Sequence, residues 1–155
     1  MEHDNYLDGI RSAWLGELFG QAFFKAMADA SDDEHMQVTW KTLAQLEYVT
    51  GNRMATLLES NGEKAATDQI IDISDELLRQ YTDVSHFESM TRMQDVIEKA
   101  IIRFDQLLAV APENDVNAVR FLVEHELALQ TFVEREIAGH TENSLEEVIR
   151  FLDDI

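Results

Sequence analysis

The chain has 155 residues, of which 45% are hydrophobic, one is proline and none is cysteine. This composition suits one compact domain over residues 1–155, and it excludes disulfides and thiolate metal sites. Twelve basic residues against 31 acidic ones give a net charge of −19, which disfavours nucleic acids and anionic membranes as partners.

Two long helices are predicted in the first part of the chain from apolar residues that recur at helical spacing. The first covers residues 7–30. The second begins at a capping box, Ser31 to Glu34, and ends near Ser60, because Asn61-Gly62 is a common C-terminal signal.

Two further long helices follow. The third opens at a second capping box, Ser85 to Glu88, and Pro112 closes it because proline disfavours helix at the residue before it. The fourth covers residues 116–137, with Asn114 or Asp115 as its cap and Gly139 as its terminator.

Two short helices complete the prediction. Residues 63–67 are expected to be a linker, and Asp68 to Gln80 a crossover helix between the second and third long helices. A connection of that length can run the height of a bundle, so these two long helices can be parallel. Asn143-Ser144 with Glu147 is expected to cap a last helix. The prediction is therefore an all-α four-helix bundle with a crossover helix and a short C-terminal helix.

The first helix carries apolar residues on two opposite faces, so both faces must be covered. The second face consists of Leu15, Phe19, Ala22 and Ala26. Either the C-terminal helix or a partner subunit could cover it, and we predict a homodimer. Gly16 and Gly20 on the same helix permit close backbone approach or leave room beside Glu17.

The compartment is expected to be the cytoplasm. No run of about 18 uncharged apolar residues exists, so no membrane span is predicted. The acidic N-terminus lacks the basic-then-apolar layout of a signal peptide, and the absence of cysteine fits a reducing environment.

Three glutamates lie in the predicted core, each near the middle of a long helix. They are Glu17 on the first helix, Glu47 on the second and Glu126 on the fourth, with His125 in the same apolar arc as Glu126. Two carboxylates about 4 Å apart repel by roughly 4 kcal/mol, so the group must protonate, find donors or bind a cation. Carboxylates with one imidazole suit iron, manganese or zinc.

This layout of capped long helices with central glutamates resembles the ferritin-like superfamily. Its di-iron members take one glutamate from each of two helices and a Glu-x-x-His from each of the other two. The resemblance implies that Glu17 corresponds to the first glutamate. Glu47 then begins the motif of the second helix, and Glu126 begins that of the last one.

The chain departs from the superfamily pattern at three places. Thr50 and Leu129 stand where the motif histidines belong, and Ile97 occupies the seam where the third helix would supply a glutamate. Glu98 and Asp105 lie at the edge of that apolar arc and are expected to face solvent. The expected site is therefore a reduced one, and ferroxidase or oxygenase activity does not carry over.

Two functions remain open at this point, and no residue is assigned a catalytic role. The first is a protein that binds one metal ion through Glu17, Glu47 and Glu126, with His125 as the nitrogen ligand. The second is a non-catalytic bundle that acts through protein or small-ligand contacts. Its metal-free glutamates would be structural, hydrogen-bonded to side chains such as Gln21, Trp14, Arg53, Tyr48 or a threonine, or they would hold a ligand amine or hydroxyl. No role is predicted for His3, His35, His86 and His140.

Overall fold

The structure, a computed structural model, describes residues 2–66 and 71–155. These described residues form six α-helices: Glu2–Ala30 (α1), Glu34–Ser60 (α2), Asp75–Thr82 (α3), His86–Val110 (α4), Val116–Ile137 (α5) and Glu146–Asp153 (α6). Single 3-10 turns, Glu113–Asp115 and Thr141–Asn143, precede α5 and α6. The described residues contain no strand, which confirms the all-α prediction.

Several predicted helix ends are confirmed. The Ser85 hydroxyl accepts a hydrogen bond from the Glu88 N–H at 3.1 Å, so it caps α4. Gly62 and Gly139 follow α2 and α5 with φ of +80° and +84°, a conformation that glycine adopts without strain. The cap of α2 is Asp33 rather than Ser31, because the Asp33 carboxylate accepts from the Met36 N–H at 3.2 Å.

The start of α1 lies earlier than residue 7, because Tyr6 and Leu7 are buried. The Tyr6 hydroxyl donates to the Asp115 carboxylate at 2.9 Å, and the Asn61 amide donates to the same oxygen at 3.3 Å. These two bonds tie the start of α1 and the end of α2 to the turn before α5.

The predicted bounds of the crossover helix are wrong. The segment 68–70 lies outside the described residues, 71–74 are not helical, and α3 begins only at Asp75. Ser74 sets this start, because its hydroxyl accepts from the Leu77 N–H at 3.1 Å. Ile71 and Ile73 are β-branched, which lowers their helix propensity and fits their position outside α3.

The predicted cap of the last helix is also wrong. The hydroxyl of Ser144 is buried and donates to the carbonyl of Thr141 at 3.2 Å, so it does not cap α6. Asn143 lies in the 3-10 turn, and α6 begins at Glu146 with no side-chain cap.

The long helices form two tightly packed pairs, α1 with α2 and α4 with α5. α6 lies against α5 and α2, so it covers that side of the bundle and leaves the second apolar face of α1 uncovered. Leu15 and Phe19 on this face are 38% and 43% exposed. The homodimer stays a prediction, which sedimentation at micromolar concentration checks.

Two apolar clusters fill the two ends of the core. One joins the C-terminal half of α1, the N-terminal halves of α2 and α4, and the C-terminal half of α5. The other joins the opposite halves of the same helices. Glu17, Glu47, His125 and Glu126 lie between the two clusters along their helices and form one polar layer. No helix in the described ranges combines the length and the hydropathy that a membrane span requires.

Candidate metal centre

The structure brings all four predicted metal-site residues together, around the Nε2 atom of His125. This atom lies 3.0 Å from Glu17 Oε1, 3.2 Å from Glu126 Oε2 and 3.7 Å from Glu47 Oε2. His125 is fully buried, and the three glutamates are between 3% and 6% exposed. Three helices therefore place three carboxylates on one imidazole nitrogen.

The other ring nitrogen fixes how His125 is oriented. His125 Nδ1 is hydrogen-bonded to the backbone carbonyl oxygen of Leu122, one turn earlier in α5. Because a carbonyl only accepts, Nδ1 carries the proton and the neutral ring has its lone pair on Nε2. A backbone partner of this kind is the usual support of a metal-binding histidine.

Glu17 Oε2 is buried and lacks a hydrogen-bond partner among the described residues. His125 Nε2 lies 3.0 Å from Glu17 Oε1, but it forms no hydrogen bond of good geometry in the described part of the chain. The alternative partners of Glu47 are occupied elsewhere or exposed. The Arg53 guanidinium lies over the Phe121 ring at 4.7 Å, and Tyr48 is 47% exposed. A buried polar atom left unpaired costs about 1–3 kcal/mol, so the arrangement has unused capacity for a ligand.

Two glycines make room for the carboxylates across the α1–α2 interface. A Cβ atom on Gly20 of α1 would lie 3.0 Å from Glu47 Cδ, and one on Gly51 of α2 would lie 3.3 Å from Glu17 Cβ. A Cβ on Gly16 would meet nothing within 4 Å. The expected space beside Glu17 is thus provided by Gly51, whereas Gly20 accommodates Glu47.

Burial and mutual repulsion raise the carboxyl pKa values in this cluster. The pKa of Glu47 is raised well above 4.5 by burial and then by the charge of Glu17. Burial raises the pKa of Glu126 to about 7, although the charge of His125 opposes the rise. Burial lowers the pKa of His125, but the neighbouring carboxylates outweigh it and raise that pKa well above 6.5. The cluster therefore lacks positive charge, which a proton or a cation would supply.

The ligand atoms fit a single ion. Glu17, His125 and Glu126 each offer one ligand atom, and these atoms lie within 4.8 Å of one another. Ligand atoms around one ion with bonds of about 2.1 Å lie at most about 4.2 Å apart, so a small contraction closes the site. Glu47 adds a fourth donor beside this set.

The positions that would hold a second ion carry no ligand. Thr50 is buried and its hydroxyl donates to the Leu46 carbonyl at 2.9 Å, within its own helix. Leu129 and Ile97 are buried apolar side chains. Glu98 and Asp105 are exposed, as predicted. The site consequently suits one ion and not a pair.

A groove between α1 and α4 leads to this cluster, and no sequence pattern predicted it. The groove has a volume of about 1100 Å³, and Glu17, Glu47 and Glu126 are the carboxylates at its floor. Two apolar residues that line the groove from α4, Val96 and Val110, are 55% and 64% exposed.

A second buried carboxylate, Glu136, was also missed. Its Oε1 lies 3.1 Å from His86 Nε2, which joins the end of α5 to the start of α4. Burial alone would raise the pKa of Glu136, but the hydrogen bond from His86 lowers it, and the same bond raises the pKa of His86. Helical spacing was the available signal, because Glu136 lies three residues after Val133 in the α5 seam.

A comparison of the chain with protein-family models, with curated proteins and with solved structures finds no match in any of the three. The site geometry is therefore the observation on which function must be argued.

Proposed function

We propose that this protein binds one divalent transition-metal ion through Glu17, His125 and Glu126, with Glu47 as a fourth or supporting ligand. The observation that carries the proposal is the convergence of three buried carboxylates on His125 Nε2, with Glu17 Oε2 left without a hydrogen-bond partner among the described residues. Iron, manganese and zinc all accept oxygen ligands with one imidazole. When bound, such an ion acts as a Lewis acid.

The charge of the cluster supports a cation as its occupant. Three ionised carboxylates and a neutral imidazole carry −3, so a divalent ion leaves −1. Without a cation, repulsion among the carboxylates is relieved only by protonation, which the raised pKa values of Glu47 and Glu126 reflect. Metal binding at neutral pH therefore releases protons from the cluster.

We also infer a ferritin-like arrangement of the bundle. Two observations support it: α1 pairs with α2 and α4 with α5, and the N-terminal halves of α2 and α4 share one apolar cluster. Parallel α2 and α4 joined by a long crossover account for both. The metal ligands then lie at the height where bundles of this kind hold their metals.

A metal-free polar core is the second candidate, and the pKa of Glu126 favours it. A carboxyl group with a pKa of about 7 is half protonated at neutral pH and can donate a hydrogen bond to a neighbouring carboxylate. In that case the bundle is non-catalytic and the glutamates are structural.

Anaerobic titration separates the two candidates. Chelator-treated protein is titrated with Mn²⁺, Fe²⁺ or Zn²⁺ by calorimetry at about 0.5 M salt, which screens weak binding to the acidic surface. We expect one tight site in the wild type, and its loss or a drop in affinity of 100-fold or more in Glu126→Gln and His125→Phe. Glu98→Gln, which removes an exposed carboxylate from α4, is the matched control and should keep the site.

A wild type that takes up none of the three ions would refute the metal proposal and leave the polar core. Equal loss of binding in Glu98→Gln and Glu126→Gln would show that the ions bind the surface.

A further inference from the structure

The two sides of the bundle core differ in how they are covered. α6 lies over α2 and α5, whereas the side between α1 and α4 is a groove of about 1100 Å³. α3 contacts α1 and α4 at one end of it, through Leu77 and Tyr81. A volume of this size accommodates a small organic molecule, since ligand sites typically measure about 300–1,000 Å³.

The walls of the groove are mostly apolar. Phe19 and Phe23 line it from α1, and Val96, Ile97 and Leu107 line it from α4. Phe19 and Val96 are 43% and 55% exposed, which is unusual for two such residues facing one groove. These walls match an alkyl chain or an aromatic ring.

Negative charge in the groove is confined to its floor. The chain has 31 acidic residues, yet among the described residues the acidic lining is limited to Glu17, Glu47 and Glu126. The Oε2 atom of Glu17 is buried with no hydrogen-bond partner in the described part of the chain. An ammonium group has three donors and a positive charge, so it complements this floor.

We propose that the groove binds an amphiphilic primary amine, with its apolar body between α1 and α4 and its ammonium group on Glu17, Glu47 and Glu126. The inference uses the same carboxylates as the proposed metal site but does not depend on a metal. The ammonium group takes the place of a metal cation, so amine and metal compete for the floor.

Arg103 in the wall of the groove could bind a head group of the opposite charge. The Arg103 guanidinium lies over the Phe104 ring at 5.9 Å, and Arg103 lines the groove. An amphiphile with a carboxylate head would pair with Arg103 and avoid the floor. The charge of the head group therefore decides whether an amphiphile places its head on the floor carboxylates or on Arg103.

The test measures binding of octylamine, octanol and octanoate to chelator-treated protein by calorimetry, below their micelle concentrations. The three probes share one apolar chain and differ in their head groups. We expect octylamine to bind at least about tenfold more tightly than octanoate, with octanol between them. Glu17→Gln should weaken the binding of octylamine and leave the binding of octanol unchanged.

A second variant fills the groove without touching the floor. Gly16 lines the groove, and a Cβ there meets nothing within 4 Å, so Gly16→Leu should fold and block the apolar chain. We expect at least about a tenfold loss of octylamine affinity in Gly16→Leu. Ala109→Leu, at an exposed position of α4 that does not line the groove, is the control and should bind as the wild type does.

Three results would overturn the inference: no binding of octylamine, tighter binding of octanoate, or equal binding by Gly16→Leu and Ala109→Leu. The metal proposal fails separately. If the wild type binds one Mn²⁺ but no octylamine, the amine proposal is refuted and the metal proposal stands. If it binds octylamine but no metal, only the amine proposal stands.

Discussion

Two buried glutamates on α5 show opposite behaviour although they lie on the same helix. Glu136 is 4% exposed and faces the single imidazole of His86, and its pKa is lowered. Glu126 is 6% exposed and shares the single imidazole of His125 with Glu17 and Glu47, and its pKa is raised to about 7. The two side chains are similarly exposed, but Glu126 lies deep in the core and Glu136 lies at the end of α5. Weaker desolvation of Glu136 and its more favourable ratio of donors to carboxylates together account for the opposite directions.

The difference distinguishes a structural ion pair, His86–Glu136, from a cluster of carboxylates that can still bind a ligand. The His86–Glu136 pair joins α4 to α5 with one donor for one carboxylate. The central cluster has one imidazole for three carboxylates. Each arrangement leaves one carboxylate oxygen without a hydrogen-bond partner among the described residues, Glu136 Oε2 in the first and Glu17 Oε2 in the second, so the excess of carboxylates is the difference. A cation completes the second arrangement and is not required by the first.

The largest expected contrast comes from replacing each glutamate by methionine in metal-free protein at pH 8. Glu126→Met removes a repelled buried charge, so the free energy of unfolding should stay equal or rise by up to about 4 kcal/mol. Glu136→Met removes a paired carboxylate and should lower it by about 1–3 kcal/mol. Urea unfolding measures both free energies. A similar loss of stability in the two variants would mean that Glu126 stabilises the fold through its hydrogen bonds.

The raised pKa of Glu126 should also be visible in the pH dependence of the free energy of unfolding. Because the folded pKa of Glu126 is about 7 and the unfolded value is 4.5, its stabilising contribution is complete below pH 4.5 and is lost as the pH rises to 7. The free energy of unfolding of metal-free protein should therefore fall between pH 5 and 8, by at most about 3 kcal/mol from this group. Glu126→Gln should flatten the profile and Glu98→Gln should not. An unchanged slope in Glu126→Gln would contradict the assignment.

A smaller effect is expected from Gly16 and Gly20, two of the three glycines of α1. Gly16→Ala should raise the free energy of unfolding by up to about 1 kcal/mol, because alanine favours helix and its Cβ meets nothing within 4 Å. In Gly20→Ala the Cβ lies 3.0 Å from Glu47 Cδ and displaces that carboxylate. We expect Gly20→Ala to gain less stability and to bind metal about tenfold more weakly. Calorimetry and urea unfolding check this, and identical results for the two variants would mean that Gly20 does not position Glu47.

Helical periodicity was sufficient to predict the long helices and the polar layer between them. The seam of α2 with Glu47 and Thr50 in its middle is buried as expected, and Glu17 and Glu126 lie beside it. This prediction succeeded because the heights of residues along a straight helix follow from their sequence positions.

Of the features that sequence reasoning missed, two depend on a local choice between hydrogen-bond partners and one depends on how the helices pack. Ser74, and not the isoleucines before it, determines where α3 begins. The hydroxyl of Ser144 is used by Thr141, so the last capping signal has no effect on α6. The groove arises from how far α1 and α4 lie apart, which no local pattern encodes.

The most direct test of the central claim is a crystal structure of the protein grown with Mn²⁺ or Zn²⁺, with data collected at the absorption edge of the metal. We predict one anomalous peak in the core, within about 2.0–2.3 Å of His125 Nε2 and of carboxylate oxygens from Glu17 and Glu126. A core without an anomalous peak, in protein that is saturated with metal in solution, would contradict the proposed site.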